Sequence, residues 1–504
     1  MSSTYTHNRK SERQPLIFSA YPTRLGSLSL SFISRSSLYR FSTELSSFNL
    51  TPLRIALLFS PIIILYILYA YAIAGPFLST SCQLISLGCP AVSVHGYVRP
   101  EFEGVKRIFV DNFKNGDDIG AGVTIYFEGE KVVDLFGGIR NLDSQQLYDE
   151  DTLQLVFSSS KVMTSLVVSR LVERNILSYN TTISTYWPEF GQGNKENVTL
   201  GDLMTHRAGV SFISHHRMTI KDIYDLDHLA QILAAEPHNF GGIRTRAYHA
   251  VSRGWYVNEI VRRVDERNRT VGEIFQEEIA NEYGIDFYYK LSEEMEERVA
   301  TIYEYPMLRV LAKLLLPDWA VSMFGTPLHK IFGDMLSGGS VTFKTLVQTA
   351  PDQTQPAAYN RREMHIAEGP SYSGMTNARS MAKIAAMFAN RGQPLPNSNE
   401  KPLVSVDTYK LLTQRLPEEY DVVLHENMVA TVGGLGYFRL EGLEDVEFVG
   451  WGGSGGSLFI WNEELEIGFS YCMNAFHTAL SGDRRSLRML REAVDVAKRI
   501  KFNA

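Results

Sequence analysis

Strand patterns occupy both ends of the main body of this 504-residue chain and helical patterns occupy its middle, and that order restricts the fold more than any other feature. Early strands are expected at 122–127 and 131–136, joined by the hairpin-length turn Glu128-Gly129-Glu130. Late strands are expected at 446–451, 457–461 and 467–473, again at hairpin spacing. Between them, from about 158 to 390, apolar residues recur every three or four positions, as on helices. A wound parallel sheet would alternate strands with helices throughout. Strands gathered at the two ends imply an α+β fold instead: an antiparallel sheet whose halves are brought together, flanked by helices and carrying a helical subdomain. No low-complexity linker or internal repeat interrupts 104–504, so one domain is expected there.

The N-terminal part reads differently. Residues 55–77 carry no Asp, Glu, Lys or Arg, and about 20 apolar residues suffice to cross a bilayer. The run is too deep and too long for a cleaved signal peptide. Residues 1–54, read as a disordered tail, hold seven Lys/Arg, and 77–98 hold none. This bias predicts a single-pass membrane protein with a cytosolic N-terminus and a lumenal or extracellular body, after a short spacer at 78–103. A Ser/Arg-rich, acid-poor N-terminus also suits a mitochondrial transit peptide, the alternative address. The sequons at Asn180, Asn197 and Asn268 favour the secretory route and a glycoprotein. Cys82 and Cys89 could pair outside the cytosol, whereas Cys472 sits in an apolar strand pattern and is expected to be buried and free. A net charge of -7 without a basic stripe argues against nucleic acid as a partner. The apolar stretch 303–332 reads as a helical cover of the core, or as a lid or a patch resting on a membrane.

Ser158-Ser159-Ser160-Lys161 follows an apolar run and opens a helical pattern, with a helix start at or just before Ser158. Residues three apart share a helix face, so the Lys161 amine can reach the Ser158 hydroxyl. Burial and the helix N-terminus both favour a neutral lysine able to take the serine proton. A second match, Ser380-Met381-Ala382-Lys383, lies within a helical pattern and reads as structural, its serine placed mid-helix.

Two later segments give Ser158 company: Ala247-Tyr248-His249-Ala250, followed by a helix over Gly254–Val264, and Trp451-Gly452-Gly453-Ser454-Gly455-Gly456. With Ser158-x-x-Lys161 they resemble, in order and spacing, the three motifs of the serine β-lactamase and penicillin-binding-protein family, closest to class C β-lactamases and β-lactamase-like carboxylesterases. Gly201–Gly209, with His206, is similar to a lesser motif of that family. The resemblance spans about 104–495 and implies a β-lactamase/transpeptidase-like fold. It makes Ser158 the acylated nucleophile, Lys161 its base and Tyr248 a proton relay. The oxyanion hole would be the backbone N–H groups of Ser158 and Ser454. Trp451, Gly452 and Gly453 would line the substrate site, the glycines letting substrate approach an edge strand. No metal or cofactor is implied.

Two departures shape the expected substrate. Ala250 stands where the family often has an asparagine that orients an amide, and Trp451 replaces the cation that grips a β-lactam carboxylate. Ester hydrolysis of a small-molecule or peptide acyl substrate is therefore the leading expectation. Peptide or amide hydrolysis is the alternative, as is an idle member kept for binding or self-assembly. His206 and His249 read as structural. A rival reading takes Gly452-x-Ser454-x-Gly456 as the nucleophile elbow of an α/β-hydrolase, but that fold needs a strand-turn-helix and an acid and histidine further on, and only His477 follows.

Overall fold

The computed structural model describes residues 60–61, 63–64, 75–79, 81–82, 87–89, 91–314, 331–353 and 355–502. The chain divides into two units, 1–65 and 66–504. In the first, the four described residues are helical. The expected tail at 1–54 lies outside the described residues.

The second unit holds the sheet. Its elements run β1 (Val94–Val98), α1 (Glu103–Lys114), β2 (Gly120–Phe127), β3 (Glu130–Asn141), α2 (Lys161–Glu173), α3 (Ser252–Val264), α4 (Ala378–Ala389), β4 (Arg415–Asp421), β5 (Glu426–Thr431), β6 (Gly436–Leu440), β7 (Leu443–Gly452), β8 (Leu458–Asn462), β9 (Ile467–Met473) and α5 (Arg484–Phe502), with short helices and turns between. The strands form one sheet in the order β1-β3-β2-β9-β8-β7-β6-β5-β4, and the neighbouring pairs along it are antiparallel. The two ends of the chain meet in its centre, where β2 pairs with β9, Val123 opposite Tyr471. This is the expected antiparallel sheet with joined halves. β1, within the stretch read as spacer, pairs with β3.

Period-two patterning explains the layers. On β8, Leu458 and Ile460 face one core with Phe102, Phe109, Met489 and Val494 of the terminal helices. Phe459 and Trp461 face the other, with α2, α3 and α4. Trp461 is fully buried, stacks on Phe388 at 4.8 Å and donates its indole N–H to Tyr409 at 3.1 Å, so the sheet and α4 are locked by both shape and a satisfied polar group.

The expected membrane-spanning protein, with its lumenal or extracellular body, is corrected here. Among the described residues no helix is long and apolar enough to cross a membrane. Most of 55–77 lies outside the described residues. The end of the expected span packs on the body instead, with Gly75 and Pro76 buried and the Phe77 N–H donating to the Gly116 carbonyl at 3.1 Å. Cys82 and Cys89 form a disulfide, and Cys472 is buried and free. In the apolar stretch 303–332, Met307–Leu314 is helical and exposes Met307, Leu308 and Leu311, while 315–330 lies outside the described residues.

Candidate active site

Ser158 sits on a 3-10 turn, Phe157–Ser160, that runs directly into α2. Side chains three apart eclipse on such a turn, which is tighter than the α-helical spacing expected from sequence. Lys161 Nζ lies 3.2 Å from Ser158 Oγ. The preceding Phe157 has φ +45°, a left-handed conformation unusual for a bulky residue. Its ring is wedged edge-on against Tyr359 at 5.4 Å and Phe476 at 5.3 Å, contacts that hold the turn in place. The three serines divide the work. Ser159 Oγ lies 3.0 Å from Ser457 Oγ, and Ser160 Oγ accepts the Gly374 N–H at 3.0 Å, which leaves half-buried Ser158 facing the cavity.

Fully buried Lys161 places its amine on two backbone carbonyls, Ala250 at 2.7 Å and Ser371 at 2.9 Å. Burial pushes its pKa well below the usual lysine range, and the nearby Arg253 guanidinium pushes the same way. Tyr248 Oη lies 2.6 Å from Ser158 Oγ. Burial raises the phenol above its ordinary value, a shift opposed by the bond to Ser158. The Tyr248 ring lies near parallel to Trp451, 5.8 Å apart at 21°, and edge-on to His206 at 4.9 Å.

Two residues that sequence reasoning missed hold this arrangement. Arg253 on α3 is fully buried and bridges three segments, donating to Met204, Gly434 and Lys161 carbonyls at 3.1, 2.9 and 3.3 Å. An arginine placed directly before the apolar run Gly254-Trp255-Tyr256-Val257 was the available signal. Asp421, buried at the end of β4, accepts the Tyr248 N–H at 3.1 Å as well as those of Val423 and Leu424. Nothing in the local sequence marks it. His206 and His249 are buried beside Tyr248, and neither lines the cavity. His206 Nδ1 accepts the His249 N–H at 3.0 Å, and burial lowers the His249 pKa to about 3.

The third motif differs from expectation in one respect. β7 is an interior strand rather than an edge: it pairs with β8 through Gly452 and with β6 up to Gly450, so Trp451 and Gly452 at its end have no partner on the β6 side. The glycines are also closely packed by protein. A Cβ on Gly452 would lie 2.0 Å from Ser481 Oγ, and one on Gly453 would lie 2.1 Å from the Val156 carbonyl oxygen, at the foot of the Ser158 turn. Ser454 sits in the turn between β7 and β8, a strand-turn-strand with no nucleophile elbow. His477 is buried against the Asp117 carbonyl at 2.8 Å. Ser380 lies in the first turn of α4, not mid-helix, where its Oγ accepts the Asp286 N–H at 2.8 Å. Lys383 is held by the Tyr283 carbonyl and Glu400, so this second Ser-x-x-Lys is structural for a different reason than sequence suggested.

Ser158, Tyr248, Trp451, Gly452 and Ser454 line a cavity of about 220 Å³. Its other walls are mainly apolar, among them Met335, Leu346, Leu424, Met428, Phe438 and Leu480. Glu426 also lines it, and no Lys or Arg does so among the described residues. Ala250 lines the cavity and its carbonyl holds Lys161.

A family model described as Beta-lactamase matches residues 108–493. The chain is 28% identical over 307 residues to "Esterase/beta-lactamase LipL" of Mycobacterium tuberculosis, a match covering 60% of this chain and 65% of that protein, slightly under two thirds of the relative's length. Among solved structures, a family VIII carboxylesterase is 28% identical with a TM-score of 0.68, covering 80% of this chain and 100% of that one. A penicillin-binding protein homologue from Caulobacter crescentus is 27% identical with a TM-score of 0.66 at the same coverage.

Proposed function

The chain belongs to the beta-lactamase family, and we propose that it is a serine hydrolase that cleaves an uncharged carboxylic ester through an acyl-Ser158 intermediate. One observation carries the reading. A neutral amine has two N–H donors and one lone pair, and the two carbonyls beside Lys161 Nζ take both donors. The lone pair is left for the third neighbour, the Ser158 hydroxyl. Lys161 thus takes the Ser158 proton as Oγ attacks the ester carbonyl. The N–H groups of Ser158 and Ser454 receive the oxyanion: Ser158 lies in a first helical turn, where N–H groups have no intrahelical acceptor, and Ser454 lines the cavity. Tyr248 hands its phenol proton to the departing alkoxide and is reprotonated from the Lys161 ammonium. Water then releases the acid by the reverse relay.

Ester rather than amide cleavage is supported by the Ala250 methyl, which offers an amide no side-chain partner, and by the names of the similar esterases. An uncharged acyl group is supported by mainly apolar walls that, among the described residues, hold no cation to pair a carboxylate. The test is labelling of the full-length protein with a fluorophosphonate. Labelling should vanish in Ser158→Ala and persist in Ser454→Ala and Ser380→Ala. A folded wild type that takes no label would sink the proposal.

A further inference from the structure

We propose that Arg485 is the residue that positions the Ser454 oxyanion donor, holding the β7–β8 turn from beneath; the inference rests on the acyl-serine reading above. Arg485 is the second residue of α5 and its side chain is 2% exposed, against Asp118 and Asp483 side chains at 0%. Every guanidinium nitrogen is engaged. Nε donates to Asp483 Oδ1 at 3.0 Å, Nη1 to Asp118 Oδ1 at 2.9 Å and the Ala475 carbonyl at 2.9 Å, and Nη2 to Asp483 Oδ2 at 2.6 Å and the Gly455 carbonyl at 2.7 Å. Tyr471 Oη donates to Asp118 at 2.6 Å and so fixes the carboxylate that fixes the arginine.

The Gly455 carbonyl is where this cluster reaches the site. It also accepts the His477 N–H at 3.2 Å, while the Gly455 N–H donates to Ala479 at 2.9 Å. Gly455 is therefore pinned on both sides. One residue on, the Gly456 N–H donates to the Gly453 carbonyl at 3.2 Å and turns that carbonyl into the turn. The peptide is trans and planar, so the Ser454 N–H faces the opposite way. Among the described residues that N–H has no acceptor, whereas those of Gly453, Gly455 and Gly456 each have one. The fit beneath the turn is close: a Cβ on Gly456 would lie 2.4 Å from Arg485 Nη2.

A buried ion cluster is weak evidence for stability, since well-packed apolar residues often serve as well. Its distinctive property is direction. A planar fork can grip two carboxylates and a carbonyl at once, and a lysine cannot. Arg485→Lys keeps the cation that neutralises Asp118 and Asp483 but loses the fork. In the full-length protein, with p-nitrophenyl butyrate, kcat should fall about 10–100-fold, part of the loss from deleting an oxyanion donor outright. KM should stay within about threefold, because ground-state binding does not use the donor. Fluorophosphonate labelling should slow by the factor seen in kcat. A folded Arg485→Lys protein with wild-type kcat overturns the inference. Should that variant fail to fold, Asp118→Asn, which removes a carboxylate holding Nη1 and leaves the turn's own residues unchanged, must show the same split between kcat and KM, and unchanged kcat there is equally fatal. Turnover that survives in Ser158→Ala would overturn the acyl-serine reading itself, which separates the two failures.

Discussion

Replacing Lys161 by Met is expected to slow ester hydrolysis about as much as removing Ser158 itself, by roughly 10³–10⁴-fold in kcat, and the Ser158→Ala/Lys161→Met double variant should be no slower than either single one. In the proposed mechanism base and nucleophile act as one unit. Lys161 Nζ lies 3.2 Å from Ser158 Oγ and donates to two carbonyls, and as a neutral amine it would keep its lone pair for the hydroxyl proton. Steady-state kinetics on the three proteins decide the matter. Losses that multiply in the double variant would mean that the two side chains act independently, and the base assignment would fall.

The same lysine imposes a pH dependence on folding whose sign can be worked out. Unfolded Lys161 titrates near 10.5, and burial lowers the folded value well below that. Between those two values the unfolded chain binds more protons than the native one, so stability rises with pH through that window. Below the folded pKa the full penalty of charging or neutralising a buried amine is present, and near 10.5 it has gone. Lys161→Met has no such group. The stability of wild type relative to the variant, measured by urea titration from about pH 7 to 10, should therefore climb with pH. A flat difference would contradict a depressed lysine pKa.

What could be read from the chain, and what could not, follows from the range of the interactions. The five central strands, β3, β2, β9, β8 and β7, were legible because apolar residues cover both their faces within a single segment, as at Leu458-Phe459-Ile460-Trp461, whereas the outer strands β1, β4, β5 and β6 were not expected. Ser158 and Lys161 were legible because a single turn brings them together. The supports of that pair were not. Tyr248 is held by a carboxylate 173 residues further on, and Arg485 meets Asp118 across 367 residues. No local pattern announces such partners. The close packing around Gly452 and Gly453 was not legible either, since their neighbours, Ser481 and the Val156 carbonyl, come from elsewhere in the chain. The membrane span failed for a related reason: an apolar run has one signature whether lipid or protein covers it, and at Gly75–Phe77 protein does.

Tyr248→Phe separates the relay from the attack, and its effect should depend on the leaving group. The ring keeps its packing on Trp451 and His206, so the variant should fold as wild type does. What it loses is the hydroxyl 2.6 Å from Ser158 Oγ. For an alkyl ester the departing alkoxide must be protonated, and kcat/KM should drop about 10²–10³-fold. For a p-nitrophenyl ester the departing phenolate is stable without a proton, and the drop in kcat/KM should be far smaller. The pH profile gives a second reading. Burial raises the Tyr248 pKa, so wild type should keep its phenol proton, and its activity towards alkyl esters, until the pH passes the ordinary tyrosine range. Tyr248→Phe should lack that alkaline fall. Equal losses on both esters would place Tyr248 with the groups that orient Ser158 and leave the alkoxide to be protonated by Lys161 directly.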